Sequence, residues 1–479
     1  NNTSKIMAII IEQKPLFDTV PVGQEIIFAV SNTSVINALL SYFNIKFIAN
    51  VFISDTSINF SSAELVGTFK TTPNRAGVGI FDFRPIIESF VSADNIAGDG
   101  SPYKIFTTND NNQFPVHIIN KFSTNNNSLR YLAIKFEIEA STTQGGNPEI
   151  IAGQEQSTDE FTLFNGYLKY NDQLQKGFPA NFGYDTTKFE LKPVSLGQFL
   201  SNAPATQYAN KEDYGTISVM TTPTGGSLTA LSYVKFTYFQ YSGASPSENI
   251  SNTDANGGFT TYTSDSKNQM LHIGCFPANL RNYSTLFNNL INLEDISHYT
   301  VQAFNSANTI ISETTTIYVN CPTLKGYKPI RLCWLNQWGT WDYYTFKMKS
   351  TKTIKTKGST YTQLGGTWNK ELYIGSGFKG GKKAFRVNAT EKIQMNTDFV
   401  NESESEWFEE LINSPEVYIV NNYISESFPV IPLTIINPNI YINPVRLTTS
   451  SYTTKTVAND KIMQYTFEVE KSKTLRTQA

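Results

Sequence analysis

Histidine is the side chain best suited to acid–base catalysis and to zinc binding near neutral pH. The chain has 479 residues and three histidines, His117, His272 and His298. They lie far apart in the sequence, and none stands in an HExxH spacing that would bring two of them to one helix face. The sequence therefore predicts structural or surface roles for all three, with no catalytic residue and no enzymatic activity.

Paired carboxylates are a second catalytic device, because two Asp or Glu residues can hydrolyse a glycosidic bond and can meet from distant strands. The spacing of Asp and Glu residues in a sequence does not reveal such a catalytic pair, and no pair stands out in this chain. An enzyme that degrades polysaccharide therefore remains one interpretation of this chain.

Two further motifs suggest ligand binding. YIGSGFKGGKK at residues 373–383 matches GxGxxG, but a strand-like pattern follows it where a dinucleotide fold needs a helix, so we predict a glycine hairpin. NTDANGG at residues 252–258 imitates the start of a calcium loop, but Thr263 stands where the closing Glu belongs. The sequence therefore predicts no metal and no cofactor.

Aromatic residues are concentrated in RLCWLNQWGTWDYYTF, residues 331–346, which holds three of the five tryptophans. Such rings bury large areas and keep one polar group, so they form either a buried strand pair or a flat binding platform. In the first case Trp334 and Trp341 are buried, and Gly339 makes a tight turn. In the second, a sugar stacks on exposed rings. The candidate residues are Trp334, Trp338, Trp341, Tyr343 and Tyr344.

The elements that would position these residues are mostly strands. Charged residues are 16% and hydrophobic residues 40% of the chain, and the remaining polar residues are rich in Asn, Thr and Ser, which favour turns and strands over helices. Polar and apolar residues alternate with a period of two at residues 44–53, 132–139 and 465–470. We predict a mainly β protein with several β-sandwich-like domains and a few short helices.

The clearest helix is predicted near residues 404–413. Ser403 and Glu406 have the spacing of a capping box, and Pro415 opposes continuation. The apolar residues of this segment share one face, which we expect to pack on a sheet: Trp407, Phe408, Leu411 and Ile412.

Two changes in composition suggest domain boundaries. The polar, Gly- and Gln-rich segment at residues 141–160 and the Pro- and Gly-containing segment at residues 321–329 interrupt strand-like patterns. The predicted domains are an N-terminal β-sandwich (1–142), a linker or long loop (143–157), a second β-sandwich (158–325) and a C-terminal β domain with the short helix (326–479).

Charge is unevenly distributed in the last third of the chain. A basic segment is followed directly by an acidic one, and opposite patches can guide contacts between copies. Alternatively, the lysines guard an edge strand and the acids solvate a helix face. The candidate interface residues are Lys347, Lys349, Lys352, Lys355, Lys357, Lys382, Lys383, Glu402, Glu404, Glu409 and Glu410.

Other features limit the compartment and the partners. The three cysteines lack CxxC spacing, which predicts buried thiols, and the N-terminal residues lack the order of a signal peptide. No apolar run approaches the ~18 residues of a membrane span, so we expect no membrane insertion. The net charge of −3 gives no bulk attraction to nucleic acid.

Several short motifs together resemble structural proteins of tailed bacteriophages that infect Bacteroidota and marine hosts. They are WLNQWGTWDYYTF, ESEWFEELINSPEVYIV and KIMQYTFEVE, with SYFNIKFIANVFI, GVGIFDF and IIESFVS near the N-terminus. The resemblance implies a non-enzymatic virion protein of the tail, neck or baseplate. It would be assembled in the host cytoplasm and contact homo-oligomeric neighbours and other virion proteins. The alternative is a carbohydrate-binding adhesin or receptor-binding module that contacts glycan through exposed rings.

Overall fold

The computed structural model describes most of the chain, and about half of it is strand. Strands make up 51% and helices 12%, so the prediction of a mainly β fold with a few short helices is confirmed. The described residues are 9–32, 42–61, 63–96, 115–119, 121–125, 127–167, 186–192, 195–221, 231–251, 269–292, 295–320, 327–368, 373–374, 379–420, 442–453, 463–473 and 475–478. Among them, no helix is long and apolar enough to cross a membrane.

The chain divides into two compact units. The first unit contains Asn1–Asn320, Leu335–Asp342 and Pro429–Thr434, and the second contains Cys321–Trp334, Tyr343–Phe428 and Ile435–Ala479.

The strands of the first unit are β1 (Ile10–Gln13), β2 (Thr19–Pro21), β3 (Ile27–Ser31), β4 (Phe43–Ser54), β5 (Leu65–Thr71), β6 (Val78–Asp82), β7 (Phe122–Thr124), β8 (Leu129–Ser141), β9 (Glu149–Ile150), β10 (Gln156–Ser157), β11 (Phe161–Phe164), β12 (Glu190–Leu191), β13 (Thr206–Asn210), β14 (Thr216–Thr221), β15 (Tyr233–Gln240), β16 (Ser247–Ser251), β17 (Gln269–Gly274), β18 (Ile296–Phe304) and β19 (Thr315–Asn320). Its helices are α1 (Arg84–Ile87), α2 (Pro277–Tyr283) and α3 (Thr285–Asn292), with 3-10 turns at Glu88–Phe90, Val116–Ile118 and Thr186–Phe189.

These strands form several sheets. The orders are β1-β3-β6; β2-β11-β8-β4-β5, with β9 and β10 on β8; β12-β14-β17-β7; and β13-β19-β18-β15-β16. The alternation in β4 buries Phe47, Ala49 and Val51 completely. Phe28 of β3 contacts the ring of Phe136 of β8, with 6.0 Å between centroids. The apolar positions predicted from the period of two therefore form the main core.

The last of these sheets has one face covered and one face turned outward. Phe287 of α3 contacts Tyr238 of β15 and Tyr299 of β18, with ring centroids 5.3 and 5.6 Å apart. The alternate residues of the strands point the other way, and most of them are exposed or half-buried. We call this second side the outer face of the five-stranded sheet.

The predicted linker at residues 143–157 differs from what the structure shows. Its strands β9 and β10 pair with β8, and β11 beyond it pairs with β8 and with β2. Residues 1–142 and 158–320 lie in the same compact unit. The segment is polar because these short strands are exposed or half-buried, and composition alone cannot distinguish such a strand from a linker.

The strands of the second unit are β20 (Ile330–Leu335), β21 (Trp341–Phe346), β22 (Thr351–Gln363), β23 (Thr367–Trp368), β24 (Tyr373–Ile374), β25 (Gly381–Asn396), β26 (Val417–Val420), β27 (Ile442–Leu447), β28 (Thr466–Lys471) and β29 (Leu475–Gln478). The large sheet has the order β21-β20-β26-β27-β28-β25-β22, with β29 on β25, and β23 pairs with β24. In the β20–β21 hairpin, Leu335–Asp342 belong to the first unit, and the other residues of the two strands belong to the second.

Helix α4 (Glu402–Asn413) is the predicted C-terminal helix, but its capping box was predicted two residues too late. Asn401 is the N-cap, its Oδ1 accepts from the Glu404 N–H at 2.8 Å, and the Glu404 carboxylate accepts from the Asn401 N–H at 2.9 Å. Both Asn and Ser can cap a helix, so residue type alone does not distinguish Asn401 from Ser403. The predicted apolar face is correct, because Trp407, Phe408 and Leu411 are buried and Phe408 contacts Phe467 of β28.

Candidate functional site: an exposed cationic ribbon

His272 lies in a chain of hydrogen bonds that has the composition of a catalytic triad. Its Nδ1 lies 2.8 Å from Ser218 Oγ, and its Nε2 lies 3.0 Å from Asp94 Oδ2. All three side chains are buried, with at most 2% of each residue exposed. Burial tends to raise the pKa of Asp94, but hydrogen bonds from His272, Ser128 and the Asn127 N–H lower it overall. Because no substrate can reach these atoms, the network is structural.

His117 lies in the same core. Its imidazole is buried and contacts the Trp341 ring edge-on, with 4.8 Å between centroids. Desolvation, together with the charge of His272, lowers the pKa of His117 to about 3. Trp341 Nε1 donates to the Asp94 carbonyl at 2.8 Å. Among the described residues, no group of three or more His, Cys, Asp or Glu side chains could hold a metal ion.

The turn between β20 and β21 is tight, as predicted. Gly339 has a φ of +72°, and a Cβ there would lie 1.8 Å from the Asn165 carbonyl oxygen. Asn336 Oδ1 accepts from the N–H groups of Trp338 and Thr340. Trp338 is 3% exposed, and its Nε1 donates to Asn202. This turn is therefore fixed by hydrogen bonds and packing within the first unit.

The tryptophan-rich segment is not an exposed platform. Trp334 and Trp341 are 0% and 2% exposed, which confirms their predicted burial, and Tyr343 is 4% exposed. In the second unit, Trp334 contacts Trp407 with 4.8 Å between ring centroids. Tyr344 is half-buried, and desolvation raises the pKa of its phenol. Four of the five candidate rings are buried and the fifth is half-buried, so the predicted stacking site does not fit this segment.

The most exposed regular structure in the second unit is the antiparallel pair of β22 and β25. All residues of β22 except Gln363 are exposed, although they pair with β25 from Thr351 to Gln363. The other edge of β25 is paired with β28 at residues 392–396 and with β29 at residues 387–389. At residues 381–386, β25 pairs only with β22 among the described residues. We call residues 351–364 and 379–391 the cationic ribbon.

Large apolar side chains lie near the turn end of the cationic ribbon. The register shifts where Ser359 pairs with Arg386 and Thr360 with Ala384, so Phe385 is the extra residue of a bulge. Phe385 is 71% exposed. Two other large apolar residues there are 45% and 69% exposed. These three residues, Tyr361, Leu364 and Phe385, are the ribbon tip.

The predicted interface lysines have different environments. Lys352 Nζ and Lys471 Nζ lie 2.7 and 2.8 Å from the buried Glu391 carboxylate, so Lys352 is paired within its own chain. Desolvation tends to raise the pKa of Glu391, but these lysines lower it overall. Other lysines on the ribbon are exposed, and in the described part of the chain they make no ion pair: Lys355, Lys357 and Lys382. Lys349 is exposed and Lys347 and Lys383 are half-buried.

The predicted acids divide in the same way. Glu404 is part of the helix cap, and desolvation raises its pKa, while Glu409 and Glu410 are half-buried. Glu402 is exposed on α4. Around it lies a surface that includes a phenylalanine with 62% exposure. We call four of its exposed residues the acidic surface: Asp398, Phe399, Glu402 and Glu406.

Some motif predictions lie outside the described residues. They are the calcium-like segment at 252–258 with Thr263, Cys321, and Gly375 and Gly377 of the glycine motif. Gly380 has a φ of +100° and is followed by strand β25. The predicted hairpin is not seen in the described residues, because β24 pairs with β23 and β25 pairs with β22. Cys275 and Cys333 are buried, as predicted.

Neither of two comparisons with known proteins identifies a relative. No protein-family model matches this chain, and no curated protein matches it. The geometry of the cationic ribbon, the ribbon tip and the acidic surface is therefore the basis for a functional proposal.

Proposed function

We propose that this chain is a non-enzymatic structural protein, assembled in several copies, whose cationic ribbon binds a neighbouring copy. The observation that carries the proposal is the exposure of β22 on both faces over almost its whole length. A two-stranded ribbon alone in water is only marginally stable, so contact with a partner would stabilise it. The motifs quoted above support a virion as the setting.

The ribbon tip would supply most of the affinity. Phe385 and Leu364 are 71% and 69% exposed, so burying them on a partner would contribute about 1–2 kcal/mol each. Exposed ion pairs contribute only ~0–1 kcal/mol each, so the lysines would mainly orient the contact and speed association.

The acidic surface is the complementary partner for this ribbon. Its carboxylates, Glu402 and Glu406, lie one turn apart on α4 and share a helix face, with Phe399 exposed beside them. A ribbon that binds a different surface of the next copy makes a head-to-tail contact, which produces a ring or a filament. Either product fits a component that is present in several copies of one particle.

The main test removes the ribbon tip. We expect the full chain to self-associate in sedimentation velocity as its concentration increases, and Leu364→Ser with Phe385→Ser to abolish this. Leu196→Ser is the matched control, because Leu196 is 70% exposed but lies in the first unit. A parent chain that stays monomeric up to high concentration, or a tip variant that assembles normally, contradicts the proposal.

A charge exchange tests the acceptor. Changing Lys355, Lys357 and Lys382 to Glu should weaken assembly at low salt, and adding Glu402→Lys and Glu406→Lys should restore it. High salt should reduce the difference between the parent and the lysine variant, because exposed charges are screened. If the second set of changes restores nothing, the ribbon binds some other surface.

A further inference from the structure

The outer face of the five-stranded sheet carries two rows of side chains in register across β13, β19, β18 and β15. Tyr208 pairs with Tyr318, which pairs with His298, which pairs with Phe239. Two residues away on each strand is a threonine, and these four threonines pair with one another across the same strands. The ring row is Tyr208, Tyr318, His298 and Phe239, and the threonine row is Thr206, Thr316, Thr300 and Thr237.

The ring row is continuous and partly exposed. The Tyr208 and Tyr318 rings are stacked with 5.5 Å between centroids, and Tyr318 and His298 with 4.8 Å. His298 and Phe239 are stacked at 4.5 Å, with 7° between their planes. Tyr208 is 52% and Tyr318 is 36% exposed, so the row presents aromatic carbon and phenol hydroxyls to solvent.

The threonine row adds hydroxyl groups beside the rings. Thr206 is exposed, and Thr316, Thr300 and Thr237 are half-buried. Each hydroxyl can donate one hydrogen bond and accept two. Neighbouring strands lie ~4.8 Å apart, so a hydroxyl recurs at that interval across the sheet, directly beside a ring.

The two rows contain no acidic or cationic side chain at neutral pH. Desolvation lowers the pKa of His298, so its imidazole is neutral near pH 7. Lys235, two residues beyond Thr237 on β15, has its Nζ 5.8 Å from the centroid of the Phe304 ring in a different row. The rows therefore lack the cations needed to bind phosphate or polyuronate.

We propose that these rows bind a neutral polysaccharide that lies across the strands. The interval between strands is comparable to the length of one pyranose unit, so successive sugars would each meet one ring and one threonine. Neighbouring rings are stacked face to face, so the sugars would contact the exposed ring edges and the phenol hydroxyls of Tyr208 and Tyr318. Further sugar hydroxyls would bond to the threonines. This site is separate from the cationic ribbon and does not depend on assembly.

Affinity electrophoresis of the full chain tests this site. The gels would contain hydroxyethyl cellulose, galactomannan or soluble starch, with alginate as the anionic control. We expect at least one neutral polymer to retard the parent chain and alginate not to do so. Retardation by none of the neutral polymers, or by alginate alone, would overturn the proposal.

Two variants separate binding from folding. Thr300→Val with Thr316→Val keeps the β-branched shape and removes two hydroxyls, and Tyr208→Ala removes the ring at the edge strand. We expect each to weaken retardation about tenfold with little change in melting temperature. The control Tyr167→Ala, at a tyrosine that is 61% exposed and outside this sheet, should bind like the parent.

Cross-strand ring pairs can also stabilise a sheet without any ligand. In that case the variants would melt earlier but bind polysaccharide as the parent does, which contradicts the proposal. If Tyr208→Ala changes self-association and no polymer binds, the face is a contact between copies, and the proposal also fails. The ribbon-tip variant should bind polysaccharide normally, so the two proposals can fail separately.

Discussion

Lowering the pH from 7 to 5 is expected to destabilise the first unit through His117. Its buried imidazole is held neutral, with a pKa of about 3, whereas an unfolded chain gives histidine a pKa near 6.5. Between these values the unfolded state binds a proton that the folded state does not. The contribution of the neutral His117 imidazole to the stability of the fold is therefore fully present above pH 6.5, and it is lost as the pH falls towards 3.

The size of the effect follows from the same two values. Each pH unit below 6.5 lowers the free energy of unfolding by about 1.4 kcal/mol, which gives about 2 kcal/mol at pH 5. Asp94 acts in the same direction, but at lower pH, because its pKa is already below the ordinary value. The pKa of His298 is also lowered and that of Glu313 is raised, so the contribution of His117 is isolated by comparing the parent with a His117 variant.

The assay compares urea unfolding of the parent and of His117→Phe at pH 7 and pH 5. Phenylalanine keeps a ring against Trp341 and cannot titrate, so the variant should lose about 2 kcal/mol less than the parent over this range. Tryptophan fluorescence can follow the unfolding, because Trp341 is one of the emitting residues and lies 4.8 Å from His117. In the comparison variant His298→Gln the difference should be smaller, because the pKa of His298 is lowered too but its ring is only half-buried. Equal losses in the parent and in His117→Phe would refute the explanation.

Three further changes test the turn and the helix cap by thermal or urea unfolding. Trp341→Ala should cost about 3–5 kcal/mol, because the ring is 2% exposed, and an unchanged melt would contradict its structural role. Gly339→Ala should cost more than the ~1 kcal/mol of a positive φ, because its Cβ would clash with the Asn165 carbonyl; a cost near zero would show that the turn can move. Asn401→Ala should cost ~1 kcal/mol and Ser403→Ala much less, and the reverse order would restore the cap at Ser403.

The sequence by itself determined the local structure. Alternation with a period of two predicted buried positions such as Phe47 and Val51, because side chains of a strand point to opposite faces. The spacing of Trp407, Phe408 and Leu411 predicted the buried face of α4 for the corresponding helical reason. The burial of Trp334 and Trp341 followed from their size and from the turn at Gly339.

Only the tertiary structure decided which strands pair and which faces stay exposed. β9 and β10 look like a linker in the sequence, because their pairing with β8 depends on residues that are not their neighbours in the chain. The cationic ribbon is exposed because few strands of its sheet extend along it, which no local pattern records. Tyr208, Tyr318, His298 and Phe239 likewise stand on separate strands, and only the register of those strands makes them a row. A local pattern fixes the direction of a side chain relative to its own strand, whereas the neighbours of that side chain are fixed by long-range pairing.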